Sequence, residues 1–80
     1  MTNTENSRTV HLRLTRAEAL VLFEWLARED EAKNLPIDDP AEELVLWRIE
    51  GQLEGCLVEP LCPDYKELVE AARKEVRVSQ

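Results

Sequence analysis

The segment from Ala17 to Ala27 constrains the fold of this chain most strongly. Only Glu18 and Glu24 are polar in this stretch, and every other residue is an alanine or a larger apolar residue. An ordinary surface helix shows one apolar stripe, whereas a helix that is apolar nearly all round is buried on several sides. The segment therefore predicts a central helix that needs more than one neighbour.

The residues before this helix alternate between apolar and polar side chains, as in a half-buried β-strand. Residues 9–14 predict one short N-terminal strand, whose two faces carry Val10, Leu12 and Leu14 on one side and Thr9, His11 and Arg13 on the other. Residues 1–8 are polar and show no periodicity, so we expect a disordered arm there.

Capping signals mark the starts of three helices. Thr15, Asp39 and Asp64 each precede a glutamate by three positions, which is the spacing of a capping box. Gly55 is expected to end the second helix in a left-handed conformation. The three helices are expected over residues 15–33, 40–54 and 64–77.

The expected fold class is mainly α, with one short N-terminal β-strand, in the order β-α-α-α. Residues Cys56–Glu59 come just before Pro60 and allow a second short extended segment. A chain of 80 residues makes one domain, here residues 9–77, with residues 78–80 as a tail.

Charge and cysteine content limit the partners and the compartment. The net charge of −7 disfavours nucleic acid and anionic membranes, since both attract basic proteins. Cys56 and Cys62 are too few for the disulfide framework of a small secreted domain, and the N-terminus has no apolar run. We therefore expect a cytoplasmic protein with reduced thiols and no membrane contact.

Catalytic and metal-binding patterns are weak in this sequence. His11 is the one histidine, and it is placed on the outer face of the expected strand. Cys56 and Cys62 are six positions apart, unlike the closely spaced cysteine pairs of zinc sites. The sequence predicts no enzyme activity, no metal and no cofactor.

The excess of apolar side chains predicts association with another protein chain. On the second helix, Val45, Leu46, Ile49 and Leu53 should face the core, while Trp47 lies on a second apolar stripe. We expect a homodimer, or a complex with a second protein, in a binding or regulatory role. The candidate interface residues are Val10, Leu12, Leu14, Leu20, Trp25 and Trp47. For both tryptophans, burial in the chain's own core is an equal alternative, and the strand could pair across the dimer or within the chain.

Residues Thr9 to Leu53 resemble the ribbon-helix-helix family, through an alternating segment (TVHLRLT) followed by an N-cap, a helix, a turn and a second helix. In that family, two strands pair across a dimer and place their outward side chains in the DNA major groove. The resemblance implies a DNA-binding regulator or antitoxin as the alternative function, with Thr9, His11 and Arg13 reading bases.

Two further segments, RAEALVLFEWL and VLWRIEGQLE, are similar to short uncharacterised bacterial proteins of unknown function. This likeness extends from Val10 to Arg77. It implies an autonomous domain and brings no activity with it.

Overall fold

The computed structural model describes residues 8–79, and all regular structure in that range is helical. Three α-helices follow one another along the chain: α1 (Arg16–Glu31), α2 (Pro40–Cys56) and α3 (Tyr65–Val78). A short 3₁₀ helix (Glu59–Leu61) lies between α2 and α3. The expected disordered arm lies outside the described residues, except for Arg8.

The first two helix starts confirm the predicted capping boxes. The Thr15 hydroxyl accepts from the Glu18 amide at 3.0 Å, and a Glu18 carboxylate oxygen accepts from the Thr15 amide at 2.8 Å. Asp39 and Glu42 make the same reciprocal arrangement at the start of α2. Each box satisfies backbone N–H groups that have no partner within their helix.

The structure differs from the prediction at the C-terminal ends of α1 and α2 and at the N-terminal cap of α3. Helix α1 ends at Glu31, and Lys33 has a left-handed φ of 57°. Helix α2 continues through Gly55 to Cys56, and no glycine among residues 8–79 has a positive φ, so the predicted glycine stop is wrong. The chain leaves α2 in an extended conformation at Leu57 instead. Asp64 precedes α3 without a side-chain capping bond.

The predicted N-terminal strand is wrong, because residues 8–79 contain no strand. A strand needs a neighbouring backbone to satisfy its N–H and C=O groups. The expected partner within the chain, Cys56–Glu59, is not extended as a whole: Cys56 is the last residue of α2, and Glu59 begins the 3₁₀ helix. The β-α-α-α fold class is therefore replaced by an all-helical arrangement in the described part of the chain.

The core lies mainly between α1 and α3. Leu20 and Phe23 of α1 are 3% and 8% exposed, and they pack in one cluster with Val69 and Ala72 of α3. Leu57, just after α2, belongs to the same cluster and is also buried. One face of α1 is thus covered by α3 and by the residue that follows α2.

Helix α2 is the least covered of the three helices. None of its 17 residues is buried, although Val45, Leu46, Ile49 and Leu53 were expected to face the core. Leu46, Ile49 and Leu53 are half-buried, and Val45 is 51% exposed. Helix α2 packs mainly against α1, so a large part of its apolar surface stays open to solvent.

We expect Leu20→Ala to lower the free energy of unfolding by about 2–5 kcal/mol, because truncation of a buried leucine leaves a cavity in the core. Leu61, which is 88% exposed, is the matched control, and Leu61→Ala should cost less than about 0.5 kcal/mol. Urea unfolding followed by circular dichroism, at one fixed protein concentration, measures both. Equal losses in the two variants would contradict the assignment of Leu20 to the core.

Candidate protein-binding surface

A long groove runs between the N-terminal segment, α1 and the C-terminal half of α2. Its volume is about 670 Å³, and its walls are mostly aliphatic. The side chains that dominate it are Val10, Leu12, Leu14, Leu22, Ile49 and Leu53. We call this hollow the long groove.

A second hollow lies beside the N-terminal half of α2 and has a volume of about 480 Å³. It is formed by the connection between α1 and α2 together with the first turns of α2, and its walls are Leu35, Pro36, Ile37, Ala41, Glu42, Val45 and Leu46. We call it the linker pocket. Val45 lines both hollows, so the two adjoin at this residue, and we call them together the apolar surface along α2.

The N-terminal segment adds exposed apolar side chains at one end of this surface. Val10 is 84% exposed and Leu12 is 77% exposed, while Leu14 is 44% exposed. Isolated apolar residues on a protein surface are normal, but contiguous apolar patches mark interaction sites. Here these side chains adjoin a groove that is itself apolar.

Positive charge is concentrated at the same end. Residues 8–16 contain three arginines and no acidic residue. Arg16 binds Glu59 at 2.9 Å and ties the start of α1 to the 3₁₀ helix. The pKa of Glu59 is lowered by a hydrogen bond from the backbone amide of Glu59 itself, and by the hydrogen bond and positive charge of Arg16. Among residues 8–79, Arg8 and Arg13 form no ion pair with a carboxylate.

Negative charge is concentrated at the other end of α2. Asp38, Asp39, Glu42 and Glu43 lie within six positions, and no basic residue occurs between Asn34 and Trp47. Asp39 and Glu42 are occupied in capping the helix, where an acidic residue is favoured by the helix dipole. The apolar surface is therefore flanked by a basic segment at one end and an acidic one at the other.

The structure places the six candidate interface residues in different parts of the molecule. Val10, Leu12 and Leu14 come together along the long groove. Leu20 lies in the core instead and is 3% exposed. Trp25 is 45% exposed and does not line the long groove.

Trp47 is 48% exposed and lies on the other side of α2 from the long groove. Its indole Nε1 donates to Asp30 Oδ1 at 3.3 Å, which links α2 to the end of α1. Nearby, burial and the negative charges of Asp30 and Glu54 raise the pKa of Glu50. This side of α2 is acidic, in contrast to the apolar side.

The residues assigned to base reading by the ribbon-helix-helix resemblance lie on a segment without strand geometry. Thr9, His11 and Arg13 are exposed, and His11 lines the long groove beside Leu12. Sequence reasoning missed Leu22 as a groove residue and assigned Val45 and Ile49 to the core. No signal in the periodicity separates a core face from an uncovered one.

Cys56 and Cys62 are free thiols. Among residues 8–79, no group of three or more histidine, cysteine, aspartate or glutamate side chains is placed to hold a metal ion. No helix described here has the length and apolar character needed to cross a bilayer.

Comparisons with known proteins assign no family to this chain. No protein-family model, curated protein or solved structure matches the chain. The resemblances to ribbon-helix-helix proteins and to short uncharacterised bacterial proteins therefore stay predictions from the sequence.

A polar contact crosses the interface between α1 and α3. The Tyr65 hydroxyl donates to Glu24 Oε1 at 2.8 Å, and Glu24 also pairs with Arg28 at 3.5 Å. Burial raises the pKa of Tyr65, and the hydrogen bond to Glu24 and the negative charge of Glu24 raise it further. This contact fixes the first turn of α3 against α1.

Because Tyr65 is the only tyrosine, an ultraviolet titration of tyrosinate reports on it alone. We expect its midpoint to lie above 10.0, the ordinary value, and Glu24→Gln to lower it by removing the negative charge. The folded chain holds this proton to a higher pH than the unfolded chain, so the contribution to stability is complete below about pH 10 and is lost as the pH rises further. An unshifted midpoint in the native protein would contradict the Tyr65–Glu24 contact.

Proposed function

We propose that this protein is a non-catalytic protein-interaction module, and that it works as a pair of identical chains joined through the apolar surface along α2. The observation that carries this proposal is the absence of any buried residue in a helix of 17 residues. A helix with good caps and many apolar side chains is ordinarily held by burial of one face.

Free energy favours covering this surface. Full burial of one large aliphatic side chain contributes roughly 1.5–3 kcal/mol. Val10, Leu12 and Val45 are each more than half exposed in the single chain. Several such side chains in one patch supply a driving force for association, from which the loss of translational and rotational freedom must be subtracted.

A second copy is the simplest partner, because two-fold interfaces between identical chains are the commonest kind. The role we infer is regulatory or structural binding, as an adaptor, an inhibitor or an antitoxin-like partner. The two free cysteines and the low cysteine content support a reducing, cytoplasmic location.

DNA binding receives less support. The ribbon-helix-helix mode needs two paired strands, and residues 9–14 form none. In that family the start of the second helix approaches a phosphate, whereas the start of α2 carries four carboxylates. Those carboxylates would repel the phosphate.

Light scattering at micromolar concentration should give about twice the chain mass of 9.2 kDa. We expect Val45→Glu to weaken self-association at least about tenfold, because it places a charge in the centre of the apolar surface. Val78→Glu is the matched control: Val78 is also an exposed helical valine, at 74%, but lies at the end of α3.

The control should keep the mass of the native protein. Both variants should keep the native circular dichroism, since neither valine is buried. A native protein of single-chain mass at all accessible concentrations would overturn the proposed function. Equal weakening by both variants would show that the interface is not the surface along α2.

A further inference from the structure

We propose that the two copies pack with their α2 helices antiparallel, so that the basic segment of residues 8–16 of each copy faces the acidic start of α2 in the other. This arrangement rests on the proposed function and specifies its partner and geometry. It follows from the order of the hollows along α2, from the exposed side chains that would meet a hollow of the other copy, and from the sign of the charges at each end.

The order of the hollows along α2 is the first step. The linker pocket lies beside Ala41 and Val45, in the N-terminal half of the helix, and the long groove lies beside Ile49 and Cys56, in the C-terminal half. A two-fold axis perpendicular to α2 and near its middle makes the helices antiparallel and exchanges their ends. The linker pocket of one copy then lies opposite the long groove of the other.

Shape is the second step. The most exposed side chains of the N-terminal segment, Val10 and Leu12, line the long groove. In the antiparallel pair they meet the linker pocket of the other copy, whose apolar walls include Leu35 and Ile37. Two exposed aliphatic side chains thus meet an apolar hollow twice in one symmetric interface.

Charge is the third step and selects this orientation. Arg8 and Arg13 have no carboxylate partner among residues 8–79, and the Asp38 side chain forms no ion pair within that range. Antiparallel packing brings these opposite charges together at both ends of the interface. Parallel packing would bring each charged end against its own copy. Since each chain carries −7, local pairing of opposite charges is needed to offset the general repulsion.

A charge exchange between two variants tests the arrangement. The first variant, Arg8→Glu with Arg13→Glu, makes the basic segment acidic. The second, Asp38→Lys with Glu42→Gln, removes the negative charge of Glu42 but keeps an oxygen that can accept the capping hydrogen bonds. In its homodimer, the first variant places a segment of net charge −1 against an α2 start of net charge −4, which is repulsive. The second variant places the native segment of +3 against an α2 start of −1, which leaves little of the native attraction between +3 and −4. In the mixed dimer, the native segment of the second variant meets the native α2 start of the first, so one end of the interface regains the full attraction.

We expect each variant alone to associate about tenfold more weakly than the native chain, and the mixture to recover affinity as a heterodimer. Analytical ultracentrifugation, with one variant fluorescently labelled, measures the affinity of each homodimer and of the heterodimer in the mixture. Added salt should weaken the heterodimer and strengthen the homodimer of the first variant, because screening reduces attraction and repulsion alike.

The control is Lys66→Glu with Lys74→Glu. It changes the net charge by the same amount as the first variant, but at exposed positions of α3. It should associate nearly as strongly as the native chain. Mixed with the second variant it should give a heterodimer of intermediate affinity, with no preference over the two homodimers. If the Glu42→Gln substitution unfolds the second variant, Asp38→Lys alone takes its place. Circular dichroism of each variant establishes that the helices are intact.

The outcomes separate this inference from the proposed function. A native dimer that Val45→Glu disrupts, but whose charge variants show no preference for each other, would overturn the antiparallel arrangement and leave the proposed function standing. A native chain that is monomeric, yet binds an acidic peptide in a manner that requires Arg8 and Arg13, would overturn both and assign the surface to a different partner.

Discussion

The packing of α1 against α3 is the interaction on which the rest of the structure depends. Leu20 and Phe23 meet Val69 and Ala72 there, and these are four of the seven buried apolar residues in the described part of the chain. Leu57 joins the same cluster from the end of α2. One buried leucine therefore anchors α2 to a core in which α2 itself places no buried side chain.

Two polar contacts also tie α2 to the rest of the chain. Arg16 bonds to Glu59 just beyond the C-terminal end of α2, and Trp47, near the middle of the helix, bonds to Asp30. Exposed polar contacts of this kind contribute little individually, so they orient the helix more than they stabilise it. Helix α3 differs, because its apolar residues form a single stripe that α1 covers, and its other face is polar. The uncovered apolar surface thus falls on the side of the molecule where α2 and the N-terminal segment meet.

Local signals in the sequence predicted the parts of the fold that local chemistry decides. The capping boxes at Thr15 and Asp39 depend on residues three positions apart, and both formed as expected. Gly55 failed as a helix stop because the chain leaves α2 only at Leu57, whose burial is set by α1 and α3. The alternation in residues 9–14 fits a strand, but pairing depends on a neighbour that the described chain does not provide.

The candidate surface was predictable only in part, for a related reason. Helical periodicity showed that α1 is apolar nearly all round, but it carries no information about which side meets α3. Leu20 was therefore assigned to an interface although it lies in the core, and Val45 was assigned to the core although it is exposed. The exposed state of Val10 and Leu12 follows from the missing strand partner, which the sequence also could not show.

Net charge and local charge lead to different conclusions about partners. The value of −7 describes the whole chain and argues against a polyanion, yet residues 8–16 contain only basic ionisable side chains apart from His11. Contacts are made over a few ångströms, and charges farther apart than a Debye length of roughly 8–10 Å are largely screened. The relevant quantity is therefore the sign of charge at each end of the apolar surface. A surface that is basic at one end and acidic at the other is complementary to itself once it is turned through a half rotation. An acidic chain with this distribution can recognise its own copy despite the repulsion between their net charges.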